Sequence, residues 1–240
     1  LDSEYLAKGF SYEIPRRTIS VPLDLELTQS EDLPNGAARF NGASSALSIP
    51  SNRFKVKKEL TMECRFKANT LTGRTGLFTK TEGSGYGIFI SDGRPSFSIN
   101  LDGKYLVATA SSPLLKTDQW HTLAGVYDGE EARLYLDGRL IDSIQGRGKL
   151  KDNRLPMMIG ADVGPQGKPN SFFNGLIDHA RLTPKALYSG EKMVEPEDRK
   201  DAIIDLQFNE NIGPWHPDGS ASKAHAMSTG DVNIERVEQK

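Results

Sequence analysis

The chain has 240 residues, 37% of them hydrophobic, and its 30 Lys and Arg against 32 Asp and Glu leave a net charge of -2. Ten Phe, seven Tyr and two Trp supply enough apolar bulk for a sizeable core, while the near-balanced charge, without a long basic run, argues against binding to nucleic acid or an anionic membrane. No apolar stretch reaches the length that would span a bilayer, which argues against membrane insertion.

Residues 1–17, LDSEYLAKGFSYEIPRR, lack sustained periodicity and read as an arm laid over the domain formed by residues 18–240. From TISVPLDLEL onward strand follows strand: AARFNG, ALSIP, LTMECRFKA, GLFTK, YGIFIS, PSFSINL and KYLVATA. In LTMECRFKA, Leu60, Met62, Cys64, Phe66 and Ala68 share one parity, and Thr61, Glu63, Arg65 and Lys67 share the other. That alternation marks a half-buried strand with the single cysteine facing the core. A buried thiol with no basic neighbour on its own face is a packing residue rather than a nucleophile.

Asp-Gly pairs stand at 92–93, 102–103, 128–129 and 137–138. Both residue types tolerate the positive φ of a type I′ turn, so the pairs predict hairpins, with Leu136 facing Arg139 across the last of them. Turns recurring every 8 to 12 residues or so indicate an antiparallel sandwich or barrel, not a helical bundle. Beyond them, Thr183 as N-cap, Pro184 at the first helical position and Gly190 as a stop predict one short surface helix over TPKALYSG. Alternation returns at Ile204, Leu206 and Phe208. The chain opens on Leu1 and not Met, as a processed or a trimmed protein would; a removed export signal is consistent with this without being shown by it.

The segments AARFNGASSALSIP, LTMECRFKA, DQWHTLAGVYDGEEARLYLDGRLI, PMMIGAD and FNGLIDHARLTPKAL lie in that order over residues 35–190. Together they resemble the bacterial laminin-G-like members of the concanavalin A-like lectin/glucanase superfamily. The resemblance implies an all-β fold, a two-sheet antiparallel jelly-roll sandwich, to which the sequence adds the one short helix. Residues 202–240 resemble an opening strand displaced to the C-terminus; they are too few for another sandwich and are expected to complete this one. Such folds host lectins, noncatalytic glycan-binding modules, adhesive domains and glycoside hydrolases, so an activity must be argued from sites.

Laminarinase-like relatives carry Glu-x-Asp-x-x-Glu on one strand, which sets a nucleophile and an acid on one face. That spacing does not occur here, nor does a G-x-S-x-G elbow. His121, His179, His216 and His225 show no metal-ligand spacing, and His216 near Asp218 reads as a polar pair in a loop. Asp178 shares parity with Leu176, Ala180 and Leu182, which turns it inward if they face the core, and an inward carboxylate needs backbone amides or a cation. The matching aspartate of relatives contributes to a calcium site, and Asn41 occupies a position where relatives often have Asp. The resemblance therefore offers Asp178 and Asn41 as calcium ligands, with a hydrogen-bonded structural aspartate as the alternative.

For sugar binding, Tyr86, Tyr105, Tyr135 and Trp215 are candidates for an aromatic platform, each against the plainer reading of core or rim packing; Trp120 reads as core. The leading expectation is a noncatalytic, exported bacterial binding or adhesion domain, whether secreted, periplasmic or on the cell surface. Its partner would be a glycan or cell-surface polysaccharide, and its one candidate cofactor a structural calcium ion. The alternatives are a glycoside-active enzyme or the accessory domain of a larger hydrolase, and a protein-interaction module without a sugar site.

Overall fold

The computed structural model describes residues 10–14, 17–21, 31–32, 35–193 and 200–237. In chain order the strands are β1 (Phe10–Ile14), β2 (Arg17–Val21), β3 (Glu31–Asp32), β4 (Gly36–Asn41), β5 (Ala46–Ile49), β6 (Leu60–Ala68), β7 (Arg74–Lys80) and β8 (Tyr86–Ser91). They continue as β9 (Arg94–Leu101), β10 (Lys104–Thr109), β11 (Trp120–Tyr127), β12 (Glu131–Leu136), β13 (Arg139–Gln145), β14 (Met157–Ile159) and β15 (Asp162–Val163). The last are β16 (Pro169–Asn170), β17 (Asn174–Thr183), β18 (Ile204–Leu206), β19 (Glu210–Asn211), β20 (Trp215–His216), β21 (Ala226–Thr229) and β22 (Asn233–Arg236).

The chain forms two units, residues 1–30 and 31–240. In the first, β1 and β2 make a hairpin with Ile14 opposite Arg17. It runs across position 17, where the sequence reading ends the arm, so that boundary cuts a paired element.

The second unit is a sandwich of two eight-stranded antiparallel sheets. One has the order β10-β9-β8-β7-β14-β5-β21-β20; the other runs β13-β12-β11-β6-β17-β4-β22, with β18 paired to the end of β17. The C-terminal strands lie beside the earliest ones, β21 on β5 and β22 on β4. The hairpin turns follow the Asp-Gly pairs: Asp92, Asp102 and Asp137 have φ of 48, 50 and 48°, and the glycine after each is also positive. At 128–129 the device differs, because Asp128 Oδ1 accepts the N–H groups of Glu130 and Glu131 at 2.9 and 2.8 Å. That is an Asx-type turn, in which a side chain replaces a backbone acceptor.

Between the sheets lie Phe40, Leu60, Met62, Cys64, Phe66, Phe78, Ile88, Phe97, Ile99, Leu123, Leu134 and Ile177, all fully buried. The inward parity read for Cys64 holds, and burial pushes its thiol pKa far above the ordinary value. The short helix does not form. Among the described residues the helical content is one 3-10 turn, Ser51–Arg53, and Thr183 ends strand β17 buried, paired with Thr61. Residues 184–190 instead form an irregular segment with bends at 184, 185 and 190, hydrogen-bonded to Thr61 of β6. Thr61 Oγ1 donates to Lys185 O at 2.8 Å and accepts from Leu187 N at 3.0 Å, while Tyr188 packs edge-on to Tyr135. So short a helix gains too little from its own hydrogen bonds to compete with burying Tyr188. No helix of the described residues is long and apolar enough to cross a membrane.

Candidate functional site

On the outer face of the second sheet, cross-strand registers align one row of side chains across five strands. Trp120 on β11 is opposite Lys67 on β6, Lys67 opposite Leu176 on β17, Leu176 opposite Arg39 on β4, and Arg39 opposite Asn233 on β22. Neighbouring strands are about 4.8 Å apart, so Trp120 and Arg39 stand roughly 14 Å from each other. The row floors a groove of about 690 Å³ lined also by Arg65, Asp118, Gln119, Glu235, Arg236 and Val237. That volume falls in the range of ligand clefts, about 300–1,000 Å³. A groove on the other sheet, lined by Arg74, Phe89, Tyr105 and Asp162 among others, holds about 320 Å³.

A β-bulge sets the chemistry of the larger groove. The register of β17 against β6 shifts between Ile177 and His179, and the extra residue is Asp178. Before the bulge Leu176 faces outward onto the groove and Ile177 inward; after it Ala180 and Leu182 are inward, opposite Cys64 and Met62. The common parity assumed for Leu176, Asp178, Ala180 and Leu182 is thereby broken, and Asp178 lies on the outer face. Its carboxylate pairs with Arg65, the side chains being 20% and 30% exposed. Burial by itself would raise the Asp178 pKa, but His179, with Nδ1 at 3.9 Å, and the Arg65 guanidinium outweigh it and hold the carboxyl below its usual range. Bulges commonly re-aim a side chain in this way beside functional sites.

Arg65 in turn lies over the Trp120 ring, 4.4 Å from its centroid, and Lys67 Nζ stands 5.5 Å from the same ring. Trp120 is therefore half-buried on the outer face and not in the core. Arg39 forks onto Glu235, Nε to Oε1 at 2.9 Å and Nη2 to Oε2 at 2.7 Å. That hydrogen bonding lowers the Glu235 pKa and raises that of Arg39. Two arginines are thus fixed in place by carboxylates, one of them also by an aromatic face.

The four aromatic candidates do not converge. Tyr86 is 2% exposed in the core, and Tyr135 is fully buried beneath residues 186–190, its hydroxyl donating to Gly190 O at 2.8 Å. Neither can meet a sugar. Tyr105 lines the smaller groove with its hydroxyl tied to Ser84, while Trp215 is 55% exposed on β20 at the sheet edge. Asn41 and Asp178 do not fit a calcium ion. Asn41 Oδ1 accepts three backbone N–H groups, from Ala43, Ser44 and Ser45 at 2.9 to 3.1 Å, and Asp178 faces a guanidinium. Among the described residues no group of three His, Cys, Asp or Glu is placed to hold a metal. His216 and Asp218 also part: His216 Nε2 is 2.8 Å from Ser228 Oγ, and Asp218 accepts the N–H groups of Asp205, Ser220 and Ala224. His121 is structural, with Nδ1 2.8 Å from Asp137 Oδ2.

The profile described as the concanavalin A-like lectin/glucanases superfamily, in its laminin-G form, matches residues 41–191. The chain belongs to this superfamily. Human laminin subunit alpha-3 is 28% identical over 165 residues, 65% of this chain but 5% of that protein. A Bacteroides ovatus protein proposed to bind carbohydrate superposes with a TM-score of 0.65 at 17% identity, over 85% of this chain and 60% of its own. The Ruminococcus gnavus IT-sialidase CBM40, solved with α2,3 sialyllactose, superposes with a TM-score of 0.52 at 16% identity, over 65% and 94% of the two chains. At these identities the structural likenesses establish the fold.

Proposed function

We propose that this chain is a noncatalytic carbohydrate-binding domain and that the groove along Trp120, Lys67, Leu176 and Arg39 is its sugar site. The observation that carries the reading is the aligned row of polar and aromatic side chains, held rigid by the Arg65–Asp178 and Arg39–Glu235 pairs and presented by five paired strands. Sites on strands with locked rotamers bind at low ordering cost. The likeness in fold to the Ruminococcus gnavus CBM40 bound to α2,3 sialyllactose, and to a Bacteroides ovatus protein proposed to bind carbohydrate, supports it. A glycosidase acid needs a raised pKa near neutrality; the carboxyls of Asp178 and Glu235 are shifted the other way. The same reading includes export, to the medium or a cell surface where polysaccharides lie.

A glycan array probed with the chain tests this. Binding to a defined saccharide that is lost in Trp120→Ala with the fold intact supports the site, and silence across a broad array sinks the function. A protein-interaction reading has one observation in its favour: Trp215 and Met227 are cross-strand neighbours, 55% and 47% exposed at the sheet edge. Trp215→Ser leaves glycan binding unchanged under the first reading and abolishes partner capture under the second.

A further inference from the structure

We infer that the groove selects a saccharide bearing an anionic substituent, a carboxylate or a sulfate ester, which meets Lys67; this rests on the carbohydrate-binding reading above. Four cations line the groove, Arg39, Arg65, Lys67 and Arg236. Glu235 engages Arg39, and Asp178, just outside the lining, engages Arg65. Asp118, the other carboxylate of the lining, is exposed on the loop before β11. Lys67 differs from Arg39 and Arg65, which are paired, and from Arg236, which is exposed to solvent at the end of β22. It is half-buried in the row between Trp120 and Leu176, and among the described residues its ammonium has no ion pair or hydrogen bond; the Trp120 ring is 5.5 Å away, and Glu235, which is bonded to Arg39, acts on it only through space. A partly desolvated ammonium without a carboxylate in direct contact is an unfavourable arrangement that an incoming anion relieves.

The aromatic component points the same way. A neutral sugar gains most of its contact energy by stacking an apolar face on a bare ring, yet the Trp120 indole is approached by the Arg65 guanidinium at 4.4 Å and by Lys67. Its role is to hold cations in place, so recognition at this end of the groove runs through charge. Arg39 lies two strands from Lys67, roughly 10 Å away, with apolar Leu176 between them. An oligosaccharide can lie across Leu176 with its acidic group at Lys67 and hydroxyls toward the Arg39–Glu235 pair. Carboxylate and sulfate share the chemistry and are separated by experiment.

The test is an array carrying matched acidic and neutral forms of each backbone: galacturonate oligomers and their methyl esters, sialyllactose and lactose, sulfated carrageenan fragments and their desulfated forms. Titration calorimetry of the saccharides that bind then follows, at low and moderate salt. The inference expects the acidic member to bind about tenfold or more tightly than its neutral partner, as one charge-assisted hydrogen bond gives, with affinity falling as salt rises. The pair that shows the preference identifies the anion. Lys67→Met should reduce acidic and neutral forms to equal affinity while Lys67→Arg retains the preference, both with a cooperative melting transition that shows the fold intact. Equal binding of acidic and neutral forms overturns the inference and leaves the carbohydrate-binding reading standing. An acidic preference that survives Lys67→Met also overturns it, by placing the anion elsewhere. Absence of any saccharide binding removes both.

Discussion

Replacing Asp178 by Ala probes the bulge, the groove and the calcium expectation at once. The change leaves Arg65 on the Trp120 ring without its carboxylate. Exposed ion pairs contribute about 0–1 kcal/mol, whereas breaking a fully buried pair costs about 3–5 kcal/mol. With side chains 20% and 30% exposed, this pair falls between them, and the expected loss is about 1–3 kcal/mol. In a domain of this size that lowers Tm by about 2–12 °C. The pH dependence has a definite sign. Because the folded pKa of Asp178 lies below its ordinary value of 3.8, its stabilisation is fully present above that value and is lost as pH falls through the folded pKa. Wild type and variant should therefore differ fully at pH 7 and converge well below pH 3.8. Thermal and urea denaturation at both pH values, with and without EDTA, reads all of this. Equal stability at neutral pH would refute the ion pair, and a chelator-induced drop in Tm abolished by the substitution would restore calcium to the site.

Three further outcomes follow from the packing and the titrating groups. Gly125→Ala places a methyl 2.2 Å from Phe97 Cδ2 in the core, so it should destabilise by about 1–3 kcal/mol, measured by urea midpoint; a neutral result would mean Phe97 can move aside. His216 is buried and its pKa is pulled from 6.5 down to about 4 by burial, so its contribution is intact above pH 6.5 and lost as pH falls toward about 4. Over that window wild type should lose more stability than His216→Gln, and parallel pH profiles would contradict the burial. Cys64 should resist alkylation in the native state and react on unfolding, since burial raises its thiol pKa; rapid native labelling would place it at a surface.

Much of the fold was legible because sheet periodicity is local. The alternation in LTMECRFKA assigns Met62, Cys64 and Phe66 inward from nine consecutive residues, and Asp-Gly turns need only two. The missing pieces depend on distant chain. Trp120 reads as core from its apolar ring, but its register opposite Lys67 puts it on the other face. One extra residue in β17 reverses the strand's parity, so counting by twos fails at Asp178. Thr183, Pro184 and Gly190 carry helix signals that lose to burial of Tyr188 against Tyr135. The groove had a faint signature: Arg65 and Lys67 share the outward parity of their strand. It could have been noticed, but Arg39 and Glu235 stand 196 positions apart, and nothing local brings them together.

The central claim is that saccharide binds across the row beginning at Trp120. The chain has two tryptophans, one in the groove and one at the opposite sheet's edge, so their indole N–H signals in a nitrogen–proton correlation spectrum are separate reporters. Titration with a saccharide selected on the array should shift the Trp120 indole and the Lys67 and Leu176 amides in a saturable manner and leave Trp215 unmoved. Saturable shifts at Trp215, or at Tyr105 and Phe89 in the smaller groove, with Trp120 silent, would contradict it.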